Sequence, residues 1–381
     1  MDPSSLAALD AAGRVALVHD WLTGMRGGEK CLDVLCEIFP RADLHTLLHV
    51  PGSVSPRIEA RRIATTFVGR LPDASRSYRR WLPLFPRAIE SLDLGARALV
   101  VSTSHCVAKG VRVPPGALHV CYCHTPLRYV WDQFEAYFGP GRADPATRLA
   151  ARLVRRPLQR WDVRTAARVH RFVVNSEHVR ARIQRHYGRE AVVIHPPVDC
   201  GRFAVDRRGP DDYFLAVSAF APYKRLDLAI EAARRAGVRL VVVGRGPEAS
   251  RLERLAHGSR CEFLPWQSDE ALAGLYARCR ALVFPGEEDF GIAPVECMAA
   301  GRPVVALAAG GALETVVPGR TGVLVQGSDP EVWGAALARL QDDAFDPDQL
   351  RAHAWRFDRA VYLERMRGFL ESAWEEWQRR A

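Results

Sequence analysis

ALVFPGEEDFGIAPVECMAAGRPVVAL, residues 281–307, reads as a single strand–loop–helix–strand unit. Ala281 to Phe284 and Val304 to Leu307 are short apolar runs bounded by turn residues, the pattern of strands buried on both faces of a parallel sheet. Between them lies an acidic loop, Glu287-Glu288-Asp289, followed by Phe290-Gly291. A helix then opens near Ile292 or Ala293, with Pro294 in its first turn, where a missing N–H costs nothing. Two strands joined by a helix of this length imply a parallel pair with a right-handed crossover.

The pattern repeats on both sides. Upstream in the same half, Phe214 to Val217, Leu240 to Val243 and Glu262 to Leu264 read as strands, with helices over Arg225 to Ala236 and Ser268 to Arg278. Further towards the N-terminus, Val15 to Val18, Ala98 to Ser102, Leu118 to Cys123, Arg171 to Asn175 and Val192 to Ile194 form a second series, with a helix over Gly27 to Phe39. His195-Pro-Pro-Val-Asp interrupts the alternation: two prolines forbid a helix and stiffen the chain as a linker. The expected domains are 1–197 and 198–358, with a Trp- and Arg-rich helix over 359–381 placed to pack back on the N-terminal domain. The expected fold class is α/β, two doubly wound Rossmann-like domains facing a central cleft, with ligands at the carboxyl ends of the strands.

Bulk properties narrow the function classes. A chain of 381 residues is long enough for two separately packed cores, and 48% hydrophobic with 25% charged residues is a folded, water-compatible composition. No apolar run approaches the ~20 residues of a membrane-spanning helix. The N-terminal stretch MDPSSLAALDAAGR has no basic region ahead of its apolar residues and does not read as a secretory signal, which implies the cytoplasm or its membrane face. The nine cysteines lack Cys-x2-Cys pairs, so neither a zinc knuckle nor a disulfide framework is expected. Asp346-Pro-Asp348 has the letters of a metal motif but sits in a turn-like polar stretch; no metal and no cofactor are expected. The net charge of +9 suits phosphate-bearing ligands or an anionic membrane. Nucleic acid is the rival partner for such a charge, but no nucleic-acid motif supports it.

Glu288 on the loop and Glu296 in the early helix have seven residues between them, so both can face a ligand over the helix N-terminus. That terminus offers unpaired N–H groups and partial positive charge to a diphosphate, while carboxylates accept hydrogen bonds from sugar hydroxyls. An acidic capping region is the plainer reading, but capping needs one acid and this loop holds three. Gly244-Arg-Gly246-Pro-Glu-Ala249 loosely fits a dinucleotide fingerprint, yet the acid expected ~20 residues on is not well placed.

The Glu-x7-Glu spacing is the motif of glycosyltransferase family 4, and PGEEDFGIAPVE resembles the GDP-mannose-dependent mannosyltransferases of bacterial surface-polysaccharide assembly. Ser218 to Asp227 (SAFAPYKRLD) resembles that family's phosphate-binding turn, and Cys123 to Asp132 (CHTPLRYVWD) its sugar-side loop. Asn175-Ser-Glu-His and Gly27-Gly28-Glu29-Lys30 resemble its last N-domain helix start and its first glycine loop. The likeness runs from about Val15 to Val325 and implies the GT-B fold.

The resemblance implies roles for matching positions. Lys224 and Arg225 would neutralise the donor diphosphate; Glu288 would bind the transferred hexose and Glu296 the ribose; His124 would hydrogen-bond the hexose near the reacting centre. Phe290, Gly291 and Ile292 would line the donor at the helix start, and Gly27 and Gly28 would let the backbone approach the diphosphate or the acceptor. Catalysis would rest on Glu288, His124 and Lys224, with retention at the anomeric carbon. One departure stands out: Ala219 occupies the place where many relatives carry a second phosphate-binding arginine. The implied partners are a nucleotide-sugar donor and a glycan or polyprenol-diphosphate-linked acceptor, with best-guess mannose from GDP-mannose. The competing readings are a non-catalytic nucleotide-sugar-binding subunit, a hydride-transferring enzyme and a glycosidase using its two carboxylates. Peripheral membrane contact is expected through Arg70 to Leu94, where Arg76, Arg79, Arg80 and Arg87 interleave with Tyr78, Trp81, Leu82, Leu84 and Phe85. The plainer reading makes Trp81 and Phe85 core residues and the arginines a solvated face.

Overall fold

The protein is described by a computed structural model covering residues 5–139 and 144–380; of Arg76 and Ala136 only the backbone is described. The chain forms two compact units, residues 1–197 together with 362–381, and residues 198–361.

The first unit holds a seven-stranded sheet in which every pairing is parallel. Its strands are β1 (Val15–His19), β2 (Asp43–Thr46), β3 (Ile63–Thr65), β4 (Leu99–Ser104), β5 (Leu118–Cys123), β6 (Arg171–Val174) and β7 (Ala191–Val193). They are ordered β3-β2-β1-β4-β5-β6-β7. Successive side chains of the central strands enter different cores: Leu99 and Val101 join one, Val100 the other. This two-sided burial leaves every side chain of β1, β4 and β5 buried and makes their amino-terminal halves largely apolar, as in Val15–Val18 and Leu99–Val101, while the polar His19 and Ser102–Ser104 fall at the carboxyl ends. The Arg359–Gln378 helix completes the first of these cores with Tyr362, Met366, Leu370 and Trp374. Burial of each such side chain stabilises by about 1.5–3 kcal/mol. Its outer turns are tied down by Arg171 to Glu376 (2.7 Å) and by Trp377 Nε1 donating to the Gly116 carbonyl (3.2 Å).

The second unit holds a six-stranded, wholly parallel sheet ordered β10-β9-β8-β11-β12-β13. Its strands are β8 (Phe214–Val217), β9 (Leu240–Val243), β10 (Cys261–Leu264), β11 (Leu282–Phe284), β12 (Val304–Leu307) and β13 (Gly322–Val325). One continuous core, with Trp333 and Tyr276 fully buried, covers the sheet. Both sheets therefore carry the doubly wound order in which the winding reverses beside the first strand, between β1 and β4 and between β8 and β11.

Three strands were not visible in the sequence reading. β2 is short and mostly polar, β3 is three residues long and partly exposed, and β13 is four residues long, opens on Gly322 and lies at the sheet edge. The Pro145–Ala166 helix was also missed, because Pro157 and six arginines obscure its apolar face. The expected lipid-facing side chains of 70–94 point inward instead: Tyr78, Leu82 and Phe85 belong to the core and Trp81 packs against it. Trp81 Nε1 donates to the Pro72 carbonyl (3.4 Å). The segment is a run of short helical turns, Ala74–Ser77, Tyr78–Leu84 and Phe85–Glu90, because its two internal prolines prevent one continuous helix. Arg70, Arg79, Arg80 and Arg87 are exposed; the Arg76 side chain lies outside the described residues. Among the described residues no helix is long and apolar enough to cross a membrane. All nine cysteines are free, and eight are buried.

Candidate functional site

In each unit the candidate residues gather at the reversal point of the sheet. In the second unit, the turn after β8 and the loop after β11 touch. A Cβ on Gly286 would lie 2.9 Å from both Lys224 Cα and the Tyr223 carbonyl, so only glycine permits this approach. The contact sets Lys224 Nζ against the Glu288 carboxylate as an ion pair, with side chains 18% and 12% exposed. Val217, Ser218, Lys224, Val283, Gly286 and Glu288 line a recess there.

The acidic loop is itself clamped from behind. The Glu288 carbonyl accepts a hydrogen bond from the Gly311 N–H at 2.8 Å. Gly310 takes a left-handed φ of +59°, and a Cβ there would lie 2.3 Å from the Glu288 carbonyl oxygen. A Cβ on Gly311 would lie 2.3 Å from Phe290 Cα. The sequence reading did not single out this glycine pair, although Ala309-Gly-Gly-Ala312 directly follows β12 and offered the signal.

The Ile292–Ala299 helix starts from Gly291, whose φ is +90°. Glu296, on its second turn, is 9% exposed and accepts a hydrogen bond from the fully buried Tyr276 hydroxyl at 3.1 Å. Burial first, and the Glu296 charge second, push the Tyr276 phenol well above its usual range, so it stays a donor. Phe290 is placed differently from the sequence expectation. Its ring is buried 5.6 Å from the Phe357 ring centroid, so its side chain belongs to the core. Arg225 is also turned aside. It has φ +51°, and its guanidinium reaches Asp227 (3.2 Å) and Ser328 (3.2 Å) rather than the Lys224–Glu288 pair. Gly244 and Gly246 pack on the turn after β8: a Cβ would lie 1.9 Å from the Ser218 carbonyl and 2.5 Å from that of Phe220, respectively. Backbone packing thus accounts for the glycines of the dinucleotide-like motif. Asp346 caps the Pro347–Ala354 helix, accepting from the Asp348 N–H at 2.9 Å, and Asp348 pairs with Arg207.

In the first unit the reversal point carries a histidine cluster. Gly27 and Gly28 form the first turn of the Gly27–Ile38 helix, not a loop. A Cβ on Gly28 would lie 3.5 Å from both His124 Nε2 and His19 Cε1. His19 Nδ1 is 2.6 Å from Thr103 Oγ1, and Glu29 lies 3.8 Å from His19 Nε2. Burial works to raise the Glu29 carboxyl, but the His19 hydrogen bond, and after it the His19 charge, outweigh it and hold the group below its usual range. His105 is pushed down to about 3 by burial and then by the His19 charge, so it is neutral. Asp20 fixes the His105 segment: its carboxylate accepts the N–H groups of His105, Cys106, Val107 and Ala108 at 2.6–2.9 Å. His19, Asp20 and His105 escaped the sequence reading because only the parallel register brings the ends of β1 and β4 together.

His124 begins a loop held at several points. Asn175 Nδ2 donates to its carbonyl (3.1 Å), Arg182 donates to Thr125 Oγ1 (2.7 Å) and pairs with Asp132 (2.5 Å). Trp131 Nε1 donates to Asp162 (2.8 Å), which pairs with the buried Lys109 (2.9 Å). Asn175-Ser-Glu-His, read as a helix start, thus also fastens the loop after β5 through Asn175, while the Ser176 hydroxyl caps the Glu177–Tyr187 helix.

The two sheets with their reversal-point sites are those of the GT-B fold. The chain shares that fold with solved glycosyltransferases. The crystal structure of Anabaena Alr3699/HepE in complex with UDP and glucose superposes with a TM-score of 0.68 over 94% of this chain and all of that one, at 18% identity. Sucrose-phosphate synthase from Thermosynechococcus elongatus gives 0.68 over 95% of this chain, also at 18% identity. Residues 25–202 match the family model described as Glycosyltransferase Family 4, and residues 201–356 the one described as Glycosyl transferases group 1. The chain is accordingly family-4-like in sequence as well as GT-B in fold. Among curated proteins, the D-inositol 3-phosphate glycosyltransferase of Mycobacterium avium is 35% identical over 195 residues, 45% of this chain and 46% of that protein. The one of Mycobacteroides abscessus is 34% identical over 170 residues. The matched stretch spans less than half the length of these relatives.

Proposed function

We propose that this chain is a retaining glycosyltransferase that moves a hexose from a nucleoside-diphosphate sugar to a hydroxyl of a glycan or lipid-linked acceptor. The observation that carries it is the Lys224–Glu288 pair at the reversal point of the second sheet. In the reaction the anomeric carbon–oxygen bond to the diphosphate breaks and one to the acceptor oxygen forms. The acceptor's proton leaves with the nucleoside diphosphate. Lys224 meets the developing charge on the diphosphate, assisted by the N–H groups at the start of the Ile292–Ala299 helix. Donor diphosphate displaces the ammonium from Glu288, freeing the carboxylate for the hexose hydroxyls. Glu296, oriented by Tyr276, takes the ribose hydroxyls. His124, fixed through its carbonyl by Asn175, takes a sugar hydroxyl in the first unit. With Arg225 engaged by Asp227 and alanine at 219, Lys224 is the principal phosphate cation; in this reading it and the helix-start N–H groups take the part a metal plays elsewhere.

The sequence resemblance favours mannose from GDP-mannose. The solved neighbour was crystallised with UDP and glucose. A thermal-shift panel of GDP-, UDP-, ADP- and dTDP-sugars decides between them. Stabilisation by a nucleotide sugar, lost in Lys224→Ala, supports the proposal. No stabilisation by any member of the panel refutes it. Slow donor hydrolysis separates an enzyme from a non-catalytic binding subunit.

A further inference from the structure

The Pro145–Ala166 helix presents a ridge that the transfer chemistry does not use. Leu149, Leu153 and Val163 are 60%, 69% and 41% exposed. Arg152, Arg156, Arg160 and Arg164 are also exposed. At about 100° per residue, all seven fall within a ~120° arc of the helix. The opposite side carries the buried Ala151, Leu158, Trp161 and Thr165. The helix's one acid, Asp162, is buried on that inner side and pairs with Lys109. The exposed arc is therefore a convex row of aliphatic side chains and arginines without a carboxylate.

We propose that this ridge docks on an anionic lipid surface. A single convex ridge with three aliphatic side chains is too small for a stable protein–protein interface, which buries about 1,200–2,000 Å². It fits shallow insertion, in which leucines enter the headgroup boundary while arginine stems lie along it and the guanidinium groups meet lipid phosphates. A polyanion such as nucleic acid would account for the arginines but leave Leu149 and Leu153 unused. The ridge, and not 70–94 with Tyr78, Leu82 and Phe85 in the core, is then the lipid-facing surface, whichever sugar is transferred.

Co-sedimentation of the full chain with phosphatidylglycerol/phosphatidylcholine vesicles, against pure phosphatidylcholine, tests it. The expected result is binding to the anionic vesicles alone, weakened by salt. Arg152→Glu/Arg156→Glu and, separately, Leu149→Ser/Leu153→Ser should each reduce it by roughly tenfold or more. Arg79→Glu/Arg80→Glu, on the other arginine-rich segment, should leave it unchanged. Because these positions are exposed, unaltered melting temperatures certify the variants, and unaltered thermal shift with nucleotide sugars keeps this test separate from that of the transfer reaction. The proposal is overturned if wild type does not sediment, if neutral vesicles bind equally, or if the leucine variant binds as well as wild type. It is equally overturned if the Arg79/Arg80 variant is the one that loses binding.

Discussion

Gly311→Ala adds one methyl group and tests whether the clamp behind the acidic loop governs the site. The residue has φ −66° and ψ −16°, comfortable for alanine, so backbone strain is not introduced. The obstruction is steric: the new Cβ would lie 2.3 Å from Phe290 Cα and 2.3 Å from the Phe290 carbonyl oxygen. Both are backbone atoms and cannot rotate away. An ordinary carbon contact needs about 3.5 Å, so the loop must retreat by ~1 Å. The Gly311 N–H to Glu288 O bond, 2.8 Å long, is strained or lost with it. A displacement of this size at a reacting centre costs on the order of 10²-fold in turnover. Gly274→Ala is the matched control: it lies within the Asp269–Arg278 helix with open space around its added Cβ, and should be neutral or slightly stabilising. Steady-state kinetics with the donor found by thermal shift, alongside melting temperatures, provide the readout. A folded Gly311→Ala enzyme with turnover within about twofold of the control would show that the clamp does not set the position of Glu288.

Glu288→Ala should lower turnover by at least about tenfold with a folded second unit, whereas Lys224→Ala should act on nucleoside-diphosphate affinity as well as turnover; near-normal kinetics in both would end the site assignment. Turnover should survive excess EDTA, and loss of activity restored by Mg2+ or Mn2+ would replace the cation-only account. Acid should weaken the first unit early. Burial lowers His119 from 6.5 to about 3 and so keeps it neutral when folded; the neutral ring then donates from Nδ1 to the Arg168 carbonyl (3.1 Å) and accepts from the Ser102 hydroxyl (2.8 Å). The unfolded chain then binds more protons between those values: the contribution is full above pH 6.5 and shrinks as pH falls towards 3, by up to about 2 kcal/mol at pH ~5. Melting temperature against pH measures this, and a slope unchanged in His119→Asn would contradict it.

Much of the second unit was legible from residues alone. The strands around 281–307 announce themselves because a parallel sheet buried on both faces admits almost nothing but β-branched and apolar side chains. Glu288 stood out because three acids in one loop beside glycine and a helix start exceed what capping needs, whereas Lys224 was reached through the resemblance of SAFAPYKRLD to the family's phosphate-binding turn. The sequence could not show that Arg225 turns to Asp227 or that Phe290 faces Phe357, since one residue's direction depends on the φ of its neighbours and on what the core leaves empty. It could not reveal Gly310 and Gly311 as a clamp, because their role exists only against the Glu288–Phe290 backbone some twenty residues earlier. The histidine cluster was hidden for the same reason: His19 and His105 lie more than eighty residues apart and are joined by strand register. Nor could it separate the two arginine-rich segments: both mix arginine with large apolar residues. Only packing decided that the prolines of 70–94 fold its Tyr78 and Phe85 inward, while the continuous Pro145–Ala166 helix must leave one face of its cylinder in water.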